Sequence, residues 1–262
     1  MKLSLRFSSL LLGVLLMCAC ATPSGRSAAS SGKIDSPALN RTAEPQAQDP
    51  QAKRLPKDVT VRVLLAEKQK SASVKHSGKV YIYTLDLEKK YKISHAGTLS
   101  VKALGKGKIQ VGTLQSAKTI VLEPARNTLL TWNKNDYSGK IFIIPAGNSF
   151  HLVEHAPLET YLYGVLPYEM SYTWPLEALK AQAVAARTYT LKTLESVKNQ
   201  NFDVFSDVRS QMYKGGGKQY ASVKKAVDET RGEVLTFQDK LFFTYYHANC
   251  GGGTDDVRSW NP

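Results

Sequence analysis

Hydrophobic and polar residues alternate from Val59 onward, which is the pattern of a half-buried β-strand. Val59, Val61, Val63 and Leu65 fall on one face of this first run. Further apolar runs follow at short intervals, separated by turn residues such as glycine, alanine and serine. The last two runs flank the turn 145–148 and predict a hairpin. The later predicted strands lie at residues 80–83, 91–93, 99–101, 109–111, 119–122, 141–144 and 150–153.

The apolar spacing changes to three or four residues after Trp174-Pro175, which predicts a long amphipathic helix. A proline suits the first turn of a helix, where its missing N–H would have no partner anyway. The acid Glu169 lies on what we expect to be a short connection just ahead of this helix. The expected core side of the helix consists of Leu176, Leu179, Ala183, Ala186, Thr190, Leu194 and Val197.

Weaker patterns flank the long helix on both sides. Two more helix candidates lie at 157–163 and at about 220–230, and strand patterns follow at 233–237 and 241–247. The fold class predicted is therefore α+β. A β-rich N-terminal region, 58–139, precedes a mixed α/β core, 140–262. No closing element follows the glycine turn 251–253, which favours a core that is truncated at its C-terminus.

The N-terminus predicts export. Lys2 and Arg6 precede an apolar run that is too short to span a bilayer, as in a secretory signal. The run ends in L-M-C-A-C, which resembles the lipobox of bacterial lipoproteins, so residues 1–19 would be the signal and Cys20 the lipidated residue. Ordinary cleavage near Ala21 is the alternative.

Residues 20–57 predict a flexible tether, because they contain almost no large apolar side chains and cannot offset their own ordering entropy. Ala21 replaces the aspartate that often retains lipoproteins in the inner membrane. We therefore expect an exported protein held by lipid on the outer membrane, facing the periplasm. With Cys20 lipidated, only Cys250 would remain, and no intramolecular disulfide is expected.

The net charge of +13 favours anionic partners such as acidic membranes or acidic cell-wall polymers. The lysines are scattered and form no basic stripe with interleaved aromatics, so nucleic acid is not an expected partner. The histidines are dispersed without the spacing of metal ligands, and no metal site is expected.

Glu169 is the candidate general acid/base, since it lies between Tyr168 and Met170, neighbours that limit its access to water. An exposed acid at a helix start would show the same local pattern. Lys180 and Arg187 lie about two turns apart on one helix face, where they could bind an anionic group or simply form the solvated side of the helix.

Tyr245 and His247 share one face of the last predicted strand, at the strand end where site residues often lie. One of them could equally belong to the core. Cys250 is either a nucleophile or, in the absence of a recognisable basic partner, a passive small residue.

The segment G-V-L-P-Y-E-M followed by W-P-L-E-A-L-K-A-Q-A-V-A-A-R-T-Y resembles the core of the SpoIID/LytB family, the stage II sporulation protein D-like proteins. D-V at 203–204, Q-M-Y-K-G at 211–215, T-R-G at 230–232 and Y-H at 246–247 are similar to the family pattern in the same order. The resemblance implies a lytic transglycosylase that cuts peptidoglycan glycan strands between N-acetylmuramic acid and N-acetylglucosamine, with a preference for strands stripped of peptides.

By the same resemblance, Glu169 would be the catalytic acid, and Lys180, Arg187, Tyr245 and His247 would bind substrate. Other family members are described as amidase enhancers, so a non-catalytic wall-binding or amidase-activating protein is the alternative, with a cell-wall amidase as its partner. Some members bind zinc through D-V-C-D-x-x-H-C-Q-x-Y. The three ligand positions are Phe205, Arg209 and Ser210 in this sequence, so neither zinc nor any other cofactor is expected.

Overall fold

A computed structural model describes residues 59–197 and 201–247 of the chain. The described part is an α+β fold with fifteen strands and three helices. Cys20, the tether, Cys250 and the glycine turn lie outside the described residues. Among the described residues, no helix is both long enough and apolar enough to cross a membrane.

A seven-stranded sheet, in the order β13-β1-β12-β11-β8-β3-β4, carries the helices. Its neighbouring strands are antiparallel except for the short parallel pair of β1 with β13. The alternation predicted for the first strand is confirmed, since Val61, Val63 and Leu65 are buried. The strands are β1 (Thr60–Gln69), β3 (Val80–Thr84), β4 (Lys90–Ile93), β8 (Ile120–Pro124), β11 (Lys140–Ala146), β12 (Ser149–Pro157) and β13 (Val204–Phe205).

A six-stranded sheet follows the order β10-β9-β2-β5-β6-β7. Its inward residues Val74, Val101 and Ile109 join those of the larger sheet in one hydrophobic cluster. Four of its strands contain few large apolar residues and had not been predicted. The strands are β2 (Ser71–His76), β5 (Gly97–Gly105), β6 (Lys108–Val111), β7 (Leu114–Ser116), β9 (Leu130–Trp132) and β10 (Asn135–Tyr137).

Three helices follow the hairpin of β11 and β12: α1 (Leu158–Glu169), α2 (Leu176–Ser196) and α3 (Ala221–Glu229). The predicted core side of α2 is confirmed, because Leu179, Ala183, Ala186 and Thr190 are buried. The predicted α3 is confirmed with Val223 and Val227 inward. A two-stranded hairpin of β14 (Thr236–Phe237) and β15 (Lys240–Leu241) comes last, and residues 242–247 form no strand.

The helix α1 is longer than predicted and changes the position of Glu169. It continues past residue 163 through Pro167 and ends at Glu169, so the acid is the last helical residue rather than part of a connection. The predicted boundary between residues 139 and 140 also falls inside the seven-stranded sheet, where β11 pairs with β8 and β12 pairs with β1.

Candidate active site

Glu169 lies half-buried at the C-terminal end of α1. The helix ends there because Met170 adopts an extended conformation while its N–H still donates to the Leu166 oxygen, at 3.0 Å. One carboxylate oxygen, Oε1, accepts a hydrogen bond from the Met212 backbone N–H at 2.8 Å. Within the described residues, no hydrogen bond reaches the other oxygen. The carboxylate is thus held by one oxygen and can offer the other to a ligand.

Glycines bring the segment with Met212 against α1. A Cβ atom on Gly164 would lie 2.5 Å from the Gly215 carbonyl oxygen, so only glycine permits this approach. Gly215 itself has φ +81°, a conformation that favours glycine. The Lys214 N–H donates to the Gly164 oxygen at 3.3 Å. The Gly164 of the motif therefore sets the distance between the acid and the backbone donor that orients it.

The Gln211 side chain, next to Met212 in the chain, connects α1, α2 and the chain at Tyr246. Its Oε1 accepts hydrogen bonds from Tyr161 Oη at 3.2 Å and Thr190 Oγ1 at 2.8 Å. Its Nε2 donates to Tyr246 Oη at 2.8 Å. Burial, and then the negative charge of Glu169, raise the pKa of Tyr246, so this phenol keeps its proton next to the acid. We call Gln211, Tyr161, Thr190 and Tyr246 the glutamine hub.

Tyr246, rather than Tyr245 or His247, faces this hub. Tyr245 and His247 do share a side of the chain, as expected, but that side is exposed, and Tyr245 is 61% accessible. Tyr245 packs on Phe243 at 5.6 Å and on Tyr189 at 6.1 Å between ring centroids. In the described part of the chain, no hydrogen bond or ring contact joins either residue to Glu169. Alternation along the sequence predicts that Tyr245 and His247 share a side. It does not show that Tyr246, on the opposite side, is the residue that contacts the glutamine hub.

Arg187 is buried, which contradicts the expectation of a substrate contact. Its side chain is 0% exposed, and it forms a bidentate ion pair with Glu159 of α1, at 2.7 and 3.1 Å. Its remaining hydrogen bonds go to the backbone oxygens of Glu233 and Val227, at 3.1 and 3.2 Å. Because these bonds occupy the guanidinium group, Arg187 joins α2 to α1, α3 and the following chain instead of reaching a ligand.

Lys180 lies on the outer side of α2 with two carboxylate partners. Its Nζ is 2.9 Å from Glu177 on the same helix and 2.8 Å from Glu229 on α3. The first partner precedes Lys180 by three residues, and the second comes from a different helix that local spacing does not show. The expected binding of an anionic substrate group would require Lys180 to leave both carboxylates.

Glu154 is a buried carboxyl group that the sequence reading missed. It lies on β12, where its Oε1 accepts from the Gly139 N–H at 3.0 Å and its Oε2 from Tyr213 Oη at 2.7 Å. Burial raises the pKa of Glu154 to about 7. Tyr213 follows Met212 in the chain, so this carboxyl group helps fix the segment that orients Glu169. Its signal in the sequence was an acid just past the predicted strand 150–153, at the next position on the face of Phe150 and Leu152.

Residues 146–237, which include all three helices, match the family described as SpoIID, Stage II sporulation protein. This stretch contains both Glu169 and the residues that hold it. This part of the chain is similar to the SpoIID/LytB family.

Three relatives show how far the SpoIID similarity extends. An uncharacterized protein of Brachyspira hyodysenteriae is 44% identical over 132 residues, which are 49% of this chain and 35% of that protein. The amidase enhancer of Bacillus subtilis is 40% identical over 94 residues, 36% of this chain and 12% of the relative. The Stage II sporulation protein D of Bacillus amyloliquefaciens is 32% identical over 128 residues, 43% of this chain and 37% of the relative. The chain thus spans well under half the length of the curated relatives it matches.

The positions at which some SpoIID proteins bind zinc are close together here but do not fit a metal. The guanidinium carbon of Arg209 lies 3.7 Å from the centre of the Phe205 ring, and Ser210 Oγ accepts from the Phe205 N–H at 3.1 Å. Neither a phenyl ring nor a guanidinium group is a zinc ligand. In residues 59–197 and 201–247, no group of three or more His, Cys, Asp or Glu side chains could hold a metal. The absence of zinc remains a prediction that metal analysis of the purified protein can test.

Proposed function

We propose that this chain is a peptidoglycan lytic transglycosylase with Glu169 as its single acid/base. Glu169 protonates the glycosidic oxygen between N-acetylmuramic acid and N-acetylglucosamine, and the bond to the muramic C1 breaks. The resulting carboxylate then takes the proton from the C6 hydroxyl of the same muramic ring while that oxygen bonds to C1. The products are a 1,6-anhydro end and a new N-acetylglucosamine end, and Glu169 is protonated again.

The geometry of Glu169 carries this proposal. Oε1 is held by the Met212 N–H at 2.8 Å, so the other oxygen keeps a fixed direction through both proton transfers. The phenol of Tyr246 belongs to the glutamine hub, and the charge of Glu169 helps to keep it protonated by raising its pKa. A positioned carboxyl group beside a hydrogen-bond donor is what proton transfer to and from a sugar oxygen requires.

A single acid suffices for this reaction class. Hydrolytic glycosidases use two carboxyl groups, one as the acid and the other to attack or to activate water. In a transglycosylase of this type the C6 hydroxyl is already tethered to the reacting ring, and proximity replaces much of the work of the second carboxylate. The proposal therefore needs no further acid among the described residues.

Product analysis tests the proposal. The full chain is incubated with glycan strands freed of peptides, and mass spectrometry is used to look for 1,6-anhydro-muramyl ends. We expect Glu169→Gln to abolish the product while strand binding persists, because the amide keeps the hydrogen bond from Met212 but cannot donate a proton as an acid does. Equal product from Glu169→Gln would remove Glu169 from the mechanism.

The alternative is a non-catalytic protein that activates a cell-wall amidase. The relative named amidase enhancer, 40% identical over 94 residues, is the observation that favours it. A folded chain that forms no anhydro product but increases the rate of a purified cell-wall amidase on whole peptidoglycan would support this alternative over the enzyme.

We also propose that the protein is exported and anchored by lipid on Cys20, on the outer membrane and facing the periplasm. The apolar run before L-M-C-A-C and the tether that follows support this. Metabolic labelling with a radioactive fatty acid should mark the full chain and leave Cys20→Ser unlabelled. Labelling of both proteins would assign the lipid to another residue, and labelling of neither would contradict the anchor.

A further inference from the structure

Aromatic rings and ammonium groups together form a surface next to Glu169. We call Tyr168, Tyr172, Tyr220, Lys214 and Lys218 the tyrosine–lysine platform. The rings of Tyr172 and Tyr220 stack with centroids 4.0 Å apart and planes inclined by 20°. Lys218 Nζ lies 5.3 Å from the centre of the Tyr220 ring, and Lys214 Nζ lies 4.8 Å from that of Tyr168. Each cation therefore stands over an aromatic face.

The tyrosines of the platform remain accessible to a ligand. Tyr168 is 39% exposed and Tyr172 is 42% exposed. Trp174, which lies with Tyr172 on the connection between α1 and α2, is 55% exposed and adds another ring. A single exposed aromatic residue is ordinary on a protein surface, whereas a group of them beside a candidate active site indicates a binding surface.

Hydrogen bonds hold the platform in place before any ligand arrives. Ser222 Oγ of α3 donates to the Tyr172 backbone oxygen at 2.6 Å and fixes the connection between α1 and α2. Tyr220 is the N-cap residue of α3, so the helix fixes its backbone. The Lys214 N–H is bonded to Gly164 of α1, at 3.3 Å. A preorganised surface loses little conformational entropy on binding.

The platform adjoins the acid through two segments. Tyr168 directly precedes Glu169, and Lys214 follows Met212, whose N–H holds the Glu169 carboxylate. The platform residues also act on one another. The hydrogen bond and charge of Tyr220 raise the pKa of Lys218, and Tyr168 and Tyr172 add to the same effect from nearby. A ligand on the platform would therefore lie next to Glu169.

Both platform cations lack a carboxylate partner. The lysines of α2 and α3 all pair with acids: Lys180, Lys192, Lys224 and Lys225. By contrast, no carboxylate of residues 59–197 or 201–247 forms an ion pair with Lys214 or Lys218. Two uncompensated positive charges beside a cleavage site favour a ligand that carries negative charge.

We propose that the tyrosine–lysine platform binds a muramic acid ring of the glycan strand, with its C–H face on Tyr172 and its free lactyl carboxylate on Lys218 and Lys214. The proposal rests on the substrate class of the proposed function. Lys214 and Lys218 would bind the carboxylate in place of Arg187, which is buried, and of Lys180, which pairs with two carboxylates. It also explains a preference for peptide-stripped strands, because the lactyl carboxylate is ionised only when no peptide is attached.

Single-stranded nucleic acid is the other ligand that aromatic rings and lysines can bind. The position of Glu169 disfavours it, since a phosphodiester backbone carries a charge at every residue and would meet the carboxylate. A glycan strand carries one carboxylate per disaccharide and can leave the region around Glu169 neutral. We therefore favour the glycan and treat the nucleic acid as a competing outcome.

Binding measurements on the full chain carrying Glu169→Gln test the proposal without turnover. Two ligands are compared: peptide-stripped glycan strands, and the same strands with their lactyl carboxylates converted to amides. We expect Tyr172→Ala to weaken binding to both by about three- to tenfold, since it removes the aromatic face. Lys218→Met should weaken binding to the native strands by a similar factor, about three- to tenfold, and leave the amidated strands unaffected.

Matched controls come from β4, at the edge of the seven-stranded sheet. Tyr91 is an exposed tyrosine, and Lys90 Nζ stands 5.5 Å from the Tyr81 ring, so Tyr91→Ala and Lys90→Met make the same chemical changes elsewhere. Neither should alter binding. Unchanged binding in Tyr172→Ala and Lys218→Met, or an equal effect of Lys218→Met on both ligands, overturns the proposal. So does an oligonucleotide that competes with the strands for the same residues.

The product assay separates this proposal from the proposed function. If the unmodified chain forms anhydro ends but the platform variants bind strands normally, the reaction stands and the platform is wrong. If the chain forms no anhydro ends but binding depends on Lys218 and the lactyl carboxylate as described, the platform stands and the reaction is wrong.

Discussion

Glu169 depends on contacts that come from a distant part of the chain. Its orienting donor, the Met212 N–H, is far from it in sequence. The acid itself could be predicted from the local motif, because a carboxyl group between aromatic and apolar residues before a long helix is unusual. The donor could not be predicted from spacing, because it depends on the approach of two glycines, Gly164 and Gly215.

Arg187 and Glu154 show the same limit for buried charges. Spacing alone is compatible with a solvated position for Arg187 on its helix. Its burial depends on Glu159 of α1, which lies opposite it in the fold. Glu154 lies just beyond the predicted strand 150–153, and its role depends on Tyr213 and Gly139, which are distant in sequence or on a neighbouring strand's end. Tertiary partners decide both cases, and a single sequence does not show them.

Arg187→Met should destabilise the protein strongly. The substitution leaves the Glu159 carboxylate almost buried and without its bidentate partner, and a loss of about 3–5 kcal/mol in the free energy of unfolding is expected. Urea unfolding of the full chain measures it. Lys180→Met is the control, because its ion pairs lie at the surface, and it should change the unfolding midpoint little. Equal effects of the two substitutions would contradict the structural role of Arg187.

Glu154 should make stability fall as the pH rises. Burial raises its pKa from 4.5 to about 7, so the folded state holds a proton that the unfolded state has lost between these values. The stability that this proton adds is fully present below pH 4.5 and is lost as the pH rises through about 7. The free energy of unfolding falls by on the order of 3 kcal/mol over this range.

The measurement compares the unfolding free energy of the unmodified chain with that of Glu154→Gln from acid to mildly basic pH. The variant cannot ionise at this position and should lack this part of the pH dependence. Parallel curves for the two proteins across the whole range would show that Glu154 does not titrate as described.

At the level of elements, α1 joins the sheet to the candidate site. It continues from β12, carries Glu169 at its last position and packs Gly164 against the 211–217 segment. The long helix α2 could be predicted closely because its apolar spacing is regular. The full extent of α1 could not, because Gly164 and Pro167 read as helix breakers. Here the glycine permits a close contact and the proline lies in the last turn.

Gly164→Ala tests the close contact at this element. In a solvent-exposed helix, alanine would be more favourable than glycine by about 1 kcal/mol. Here a Cβ atom would lie 2.5 Å from the Gly215 oxygen and from the Tyr213 ring. We therefore expect destabilisation by about 1–3 kcal/mol together with reduced activity, because Met212 moves away from Glu169. A control at Ala181, an exposed position on α2, should show ordinary propensity alone: Ala181→Gly should cost about 1 kcal/mol and leave activity unchanged. A more stable and fully active Gly164→Ala would contradict the packing described.

At the scale of the whole molecule, strands from both sides of residue 140 share the seven-stranded sheet, and α1 packs against its strands β1 and β12. The β-rich character of the early chain and the hairpin 141–153 could be predicted from alternation. The short strands β7, β9 and β10 could not, because three residues are too few to show a period. The sequence could not show which strands pair, since β1 joins β12 and β13, which come much later in the chain.

The net charge of +13 acts on this scale as well. Long-range attraction draws an anionic glycan polymer toward a basic protein, and local geometry then selects the bond that is cut. Most of the described lysines form no ion pair, but those of the tyrosine–lysine platform lie beside Glu169, so they would be where the general attraction becomes specific. The acid, its backbone donor and the platform lie on two stretches of chain: the end of α1 with the connection to α2, and residues 211–220.

The central claim is that Glu169 transfers the glycan to its own C6 hydroxyl rather than to water. The most direct measurement is to cleave peptide-stripped strands with the full chain in water labelled with heavy oxygen and to weigh the new muramyl ends. The account predicts ends that are lighter than a hydrolysis product by one water and carry no heavy oxygen, with none formed by Glu169→Gln. New muramyl ends that contain the heavy oxygen would show hydrolysis and contradict it.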